Sequence, residues 1–207
     1  MDQVTKLIFD GVETKRFHTV PTWRQETVGH HQGIVMALLM HAYPRIRREV
    51  IRYASIHDLA EHVTGDAPSP TKRSHPDLKR LLDDFEDSVY RTFTVDLPIL
   101  DGVEYNLFKR VDNVAGMMTC YREYMMGNFN ITREFTNFRT YYDKLIVATA
   151  ENVNLYADWM LIGNGILSSA VKTMAKTFGA PEAMYAGPYT AEIELGAKKR
   201  LLDEEAS

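Results

Sequence analysis

The chain has 207 residues, 45% of them hydrophobic and 25% charged, with a formal net charge of −4. That length suits one well-packed domain with a small appendage, and the charge gives no global electrostatic basis for binding nucleic acid. A single cysteine, Cys120, excludes an internal disulfide and any multi-cysteine zinc site.

Taken in chain order, residues 1–6 lack the basic start and apolar core of a signal peptide. The first strong helical pattern is 28–42, through Val35, Leu38, Leu39 and Ala42, and its apolar run 34–40 is too short to span a bilayer. A soluble, cytoplasmic protein with no membrane partner is the expectation. Residues 47–63 carry Val50, Ile51, Ala54, Leu59 and Val63 at helical spacing and stop at Gly65. Residues 77–95 repeat the pattern through Leu78, Leu81, Leu82, Phe85 and Val89, with 92–97 a weak strand candidate. Residues 101–126 follow through Phe108, Val111, Ala115 and Met118, and one or two long helices run from Thr132 towards Phe178. Glycine and proline then mark a loop before a short charged helix at 191–202. The fold class is all-α: a helical bundle over 1–178, with 179–207 as a loop and C-terminal helical extension.

His57-Asp58 places an imidazole nitrogen and a carboxylate on adjacent residues, a mixed donor set for a divalent cation. Glu61 follows four residues after His57, on the same face if the segment is helical, and supplies a carboxylate near the metal for proton transfer. All seven histidines fall before residue 76, an uneven gathering for structural residues. His30-His31 opens the helix expected to lie antiparallel to the one bearing His57. Asp112 shares a helical face with Phe108, Ala115 and Thr119, where an unpaired carboxylate would be costly. The bland reading is an arginine partner in the core. The metal reading is preferred, because His31, His57, Asp58 and Asp112 complete a two-histidine, two-carboxylate site with room for water.

These residues stand in a longer order. Arg16-Phe17-His18, Arg24, His30-His31, His57-Asp58, Glu61, Thr64-Gly65-Asp66-Ala67-Pro68-Ser69-Pro70-Thr71-Lys72 and a distant helical Asp112 resemble the HD phosphohydrolase superfamily. Within it the likeness is to bacterial 5′-deoxynucleotidases and to the dATP triphosphohydrolases of phages with 2-aminoadenine genomes. It runs from Lys15 to Tyr124. The resemblance implies an HD-domain bundle in which His31, His57, Asp58 and Asp112 hold one divalent ion (Mn, Co, Fe, Ni, Zn or Mg). It further implies Glu61 and Asp66 as acid–base carboxylates, Arg16 as a phosphate clamp and Phe17 as a wall or stacking face for the base. Lys72 or Arg73 would reach a polyphosphate tail. Two departures bear on base selectivity: His30 stands where a glutamate is common, and Phe17 where relatives carry an indole. Thr19, two residues past Phe17, would crowd one edge of the base.

The implied function is hydrolysis of the 5′ phosphoester of 2′-deoxynucleotides, leaning to dATP, in the host cytoplasm if the chain is phage-encoded. The alternatives are a general deoxynucleoside monophosphatase and a non-catalytic nucleotide-binding protein. A small-molecule deoxynucleotide and a second copy of the chain are the expected partners. Arg45, Arg47, Arg48 and Arg52 read as a solvated face. Asn130-Ile131-Thr132 matches a glycosylation acceptor without a secretory context. Met117, Met118, Met125, Met126, Trp159 and Tyr141-Tyr142 read as core packing, with a dimer surface the lesser alternative for the methionines.

Overall fold

The computed structural model describes residues 1–150 and 158–179. The predicted charged helix at 191–202 and the loop before it lie outside the described residues, as do the side chains of Arg73 and Trp159. Within the described residues the chain is all-helical apart from one isolated bridge between Lys15 and Thr27. No described helix is long and apolar enough to cross a membrane.

Helix α1 (Gln3–Gly11) begins at an Asp2 cap that accepts from Thr5 N at 2.9 Å. It has no counterpart among the predicted elements. Helix α2 (Val28–Ala42) starts at Thr27 and buries Val28, His31, Val35, Leu39 and Ala42, the spacing of one helical face. Burial of His31 follows from its position on that stripe.

The segment predicted as one helix over 47–63 is two. Helix α3 (Arg48–Ile56) stops before His57, and α4 (Glu61–Thr64) resumes after a turn and ends at Gly65, whose φ of 74° suits glycine. The break comes from across the fold. The Tyr90 hydroxyl lies 2.7 Å from Ile56 O and 2.8 Å from His57 O, so its proton serves the carbonyls freed at the end of α3, and it accepts from Ala60 N at 3.3 Å. His57 and Asp58 therefore sit in a turn, and Glu61 shares no continuous helical face with His57.

Helices α5 (Ser69–Ser74) and α6 (Pro76–Thr92) follow. The strand candidate at 92–97 is not a strand. Thr94 takes φ 56°, with Thr94 N bonded to Arg91 O and Val95 N to Tyr90 O, a pair of bonds that closes the C-terminus of α6 and turns the chain away. The long central helix α7 (Gly102–Met125) is opened by a reciprocal Asp101–Glu104 capping box. A 3₁₀ turn (Phe129–Ile131) leads to α8 (Thr132–Ala150), and α9 (Asp158–Thr177) completes the described bundle.

Helix α7 packs against α2, α3, α8 and α9 around a core that includes Val35, Leu39, Leu107, Val111, Val114 and Leu167. A smaller cluster of Leu7, Val28, Leu59, Val89 and Tyr90 ties α1 and α6 to the turn that carries His57. The methionine expectation needs correcting: Met117 is in the core, while Met118, Met125 and Met126 face solvent from α7 and its end. Tyr142 is buried as expected, but Tyr141, one residue before it, is exposed. All four arginines between 45 and 52 are exposed. Arg47 nevertheless forks onto Glu104, and Arg52 donates to Asp96 O at 2.9 Å.

Candidate metal centre and nucleotide cavity

Helices α3 to α8, the turn that carries His57 and the loop that carries Arg16 line a cavity of about 440 Å³. From α2, His31 (0% exposed) brings Nε2 to 2.8 Å from Asp112 Oδ1 on α7. His57 arrives from the α3–α4 turn. Its Nδ1 lies 2.9 Å from Ala54 O, a contact that fixes the ring and directs Nε2 at the cluster. That Nε2 is buried and makes no hydrogen bond. Ligand atoms of His31, His57 and Asp112 all lie within 4.8 Å of one another. Two imidazoles and a carboxylate, with a buried nitrogen unused on each ring, are a donor set that fits a divalent transition ion.

Asp58, the fourth expected ligand, borders this cluster rather than joining it. Its Oδ2 is 3.1 Å from His57 Nε2 and 2.5 Å from Arg16 Nη1. Burial opposes ionisation of Asp58, but the His57 ring and the Arg16 guanidinium outweigh it and hold the carboxyl well below the usual range. Asp112 behaves likewise: burial opposes ionisation, while Lys109 and His31 draw its pKa far down. Lys109 bonds Asp112 from one helical turn away and sits 5.3 Å above the Phe108 ring. Despite burial, Asp112 keeps Lys109 charged beyond the ordinary lysine range.

Glu61 is 5% exposed, and its Oε2 has no hydrogen-bond partner. Burial first, and the Asp58 charge second, push its pKa well above the carboxylate range. Such a carboxyl retains a proton where Asp58 and Asp112 have lost theirs. A cation in the cluster would draw it back down, so its state depends on the ion.

Arg16 is 9% exposed and stands between two carboxylates, with Nε 3.5 Å from Glu26 Oε2 and Nη1 on Asp58. Burial disfavours its charge, yet Asp58, Asp66, Glu61 and Glu26 together keep the guanidinium charged more firmly than usual. The loop that carries it is clamped: Arg16 N donates to Glu26 O at 2.9 Å, and Gln25 donates to Arg16 O. The next residue, Phe17, adopts φ 56°, a strained conformation for an aromatic residue, with its N–H on Asp66 Oδ2 at 3.2 Å. In this geometry Asp66 holds the Phe17 backbone.

Arg16, Phe17, Thr19, His57, Asp58, Glu61, Asp66, Lys72 and Asp112 all line the one cavity, with His31 behind Asp112. Lys72 Nζ lies 3.8 Å from Glu86, whose pKa burial raises against the opposing pull of that lysine. Arg24 and His30 are exposed and do not line it. Of the seven histidines, only His31 and His57 belong to the cluster.

Sequence reasoning missed several lining residues. Tyr53 stacks on the His57 ring at 6.1 Å with planes 14° apart, and Phe108 meets that ring edge-on at 4.7 Å. Burial, then the Tyr105 hydroxyl, lifts the Tyr53 phenol to about 12. Lys109, three residues before Asp112, and Tyr53, four before His57, stood at spacings that would have shown them. Glu134, Asn137, Phe138 and Tyr141 of α8 carried no such signal.

Among solved structures the chain is similar to the cyanophage S-2L HD phosphohydrolase DatZ, determined with dA and one catalytic Zn²⁺ ion bound. Sequence identity is 19%, the match covers 83% of this chain and 96% of that one, and the TM-score is 0.53. The likeness establishes a shared all-α fold of the HD-domain kind. No family profile matches the chain, and no curated protein matches it.

Proposed function

We propose that the chain is a divalent-metal-dependent phosphohydrolase that cleaves the 5′ phosphoester of 2′-deoxynucleotides, with dATP, yielding deoxyadenosine and triphosphate, as the leading substrate. One observation carries this reading. The His31–His57–Asp112 cluster, a buried and partnerless Glu61 oxygen and the Arg16 guanidinium all meet in a single cavity.

His31, His57 and Asp112 would hold the ion, with Asp58 joining when its carboxylate leaves Arg16. When bound, the ion supplies positive charge for the phosphoryl group and acidifies water. The rest falls to the chain's own side chains. Arg16, prepositioned by Glu26, presents a planar fork to phosphate oxygens. Glu61 moves the proton, either from the attacking water or to the departing 5′ oxygen. Asp66 keeps Phe17 turned into the cavity, where its ring faces a base.

Lys72, Lys79 and Lys109 line the same cavity as Arg16. Four cations exceed what one phosphate requires and favour a polyphosphate tail. The adenine preference rests on the dA and Zn²⁺ in the cyanophage neighbour and on the sequence resemblance. The general deoxynucleoside monophosphatase is the second reading, supported by the carboxylates of Glu86 and Asp83 that already pair Lys72 and Lys79.

The test is product analysis. Purified protein with Mn²⁺, Co²⁺, Zn²⁺ or Mg²⁺ is given dATP, dAMP and ATP, and the products are resolved by ion exchange. Triphosphate from dATP supports the leading reading, and phosphate from dAMP alone supports the second. No turnover of any nucleotide with any metal refutes both.

A further inference from the structure

One wall of the cavity has no role in the chemistry above. Helix α8 presents Glu134, Asn137, Phe138 and Tyr141 to it, at the i, i+3, i+4, i+7 spacing of a single helical face. All but Tyr141 are half-buried.

Two independent features make this wall a recognition surface. The first is its aromatic floor. The Phe17 and Phe138 rings lie 6.0 Å apart, tilted by 54°. Stacking a third ring between them would need roughly 7 Å, twice a van der Waals contact, so they form one angled surface and not a sandwich. Phe138 reaches that position because α7 offers no side chain beneath it: a Cβ on Gly116 would fall 2.5 Å from the Phe138 ring. The second feature is polar. Among the described residues, neither Asn137 nor Glu134 has a side-chain hydrogen bond or ion pair, whereas Arg16, Lys72, Lys79 and Lys109 are each paired with a carboxylate.

We infer that Asn137 and Glu134 read the edge of a base laid on the Phe17–Phe138 surface, selecting an exocyclic amine beside a ring nitrogen over a carbonyl at that position. Asn137 offers one acceptor and one donor group, which match the 6-amine and N7 of adenine as a bidentate pair, whereas N7 and O6 of a 6-oxo purine both accept. Hypoxanthine and guanine present a carbonyl there, which Asn137 meets with one bond and the Glu134 carboxylate repels. Selection thus acts on the 6-amino against the 6-oxo group, from α8. The inference rests on the nucleotide reading of the site, and binding separates the two.

Deoxyadenosine and deoxyinosine are titrated calorimetrically against wild type, Asn137→Leu and Asn137→Asp, and hydrolysis of dATP and dITP is measured in parallel. Wild type should favour deoxyadenosine by about 10-fold or more, the scale of a bidentate contact with one mismatched partner. Asn137→Leu should bring the ratio near unity by weakening deoxyadenosine, with metal content unchanged. Asn137→Asp, nearly isosteric, should also lose most of the preference because it cannot donate, and it serves if the leucine variant fails to fold. Gly116→Ala should displace Phe138 and weaken both nucleosides equally. A preference that survives in both Asn137 variants, or its absence in wild type, overturns the inference. Preferential binding without hydrolysis of any nucleotide would leave the base reader standing and defeat the enzymatic reading instead.

Discussion

On one side of the cavity, His31 and Asp112 project from two long helices, α2 and α7, that pack directly on each other within the main core. On the other, Lys72 rides the six-residue α5, and Lys79 lies on the outer part of α6, where Leu81 is 57% and Phe85 50% exposed. Metal ligands need fixed geometry, and close packing supplies it. Contacts to a flexible polyanionic tail tolerate movement, so a loosely packed rim suffices for them. The contrast predicts a gradient of mutational sensitivity across one cavity.

The sharpest break should come at the packed wall. Asp112→Ala should abolish turnover and leave no stoichiometric metal by elemental analysis, since it removes a ligand and leaves the half-buried Lys109 without its partner. A fully active variant would refute the site.

Glu61, at the junction of the two sides, comes next. Glu61→Ala should keep the metal and lose about 10²–10⁴-fold in kcat. Stability gives a second reading of the same residue. A carboxyl whose pKa is raised on folding weakens the metal-free fold as pH climbs above the unfolded value of about 4.3. Glu61→Gln should therefore raise the Tm of the metal-free protein at pH 7 and match wild type below about pH 4. A constant Tm difference at all pH values would mean that the Glu61 charge is not the cause.

At the rim, Lys72→Ala should raise KM for dATP by about 10-fold, the order of one charge-assisted contact, and leave KM for dAMP unchanged. An equal change for both would place Lys72 on the first phosphate and remove the support it gives to a triphosphate. Smallest of all, Leu81→Ser on the exposed face of α6 should alter stability by about 0.5 kcal/mol or less and leave kcat untouched. A large loss would mean that this face is covered by a partner.

Legibility in the sequence follows the same divide. The pattern around His31 and Asp112 showed both the helix and the buried side of each, because periodicity reports burial directly. The break at His57 was invisible, since Ala54, Leu59, Ala60 and Glu61 are good helix formers and the residue that interrupts them, Tyr90, is more than thirty positions away. Helix α1 was missed because nine residues give too little periodicity to stand out. Met118, Met125 and Met126 misled because composition does not say which way a methionine faces. The α8 wall was unreadable for a different reason. Glu134 and Asn137 look like ordinary surface residues until α7 places Gly116 under Phe138 and draws the helix against the cavity.

The Tyr90 hydroxyl joins regions that otherwise differ in firmness. Its proton serves the carbonyls of the turn that carries His57 and Asp58, yet the ring belongs to the last turn of α6. Loss of that latch should release the turn, so α6 and the His57–Asp58 turn are expected to open together. Amide protons of α6 should then exchange more slowly when the cation is bound, although no residue of α6 belongs to the His31–His57–Asp112 cluster. Occupancy of the centre becomes visible in solvent exchange along a helix that lies at the cavity's edge.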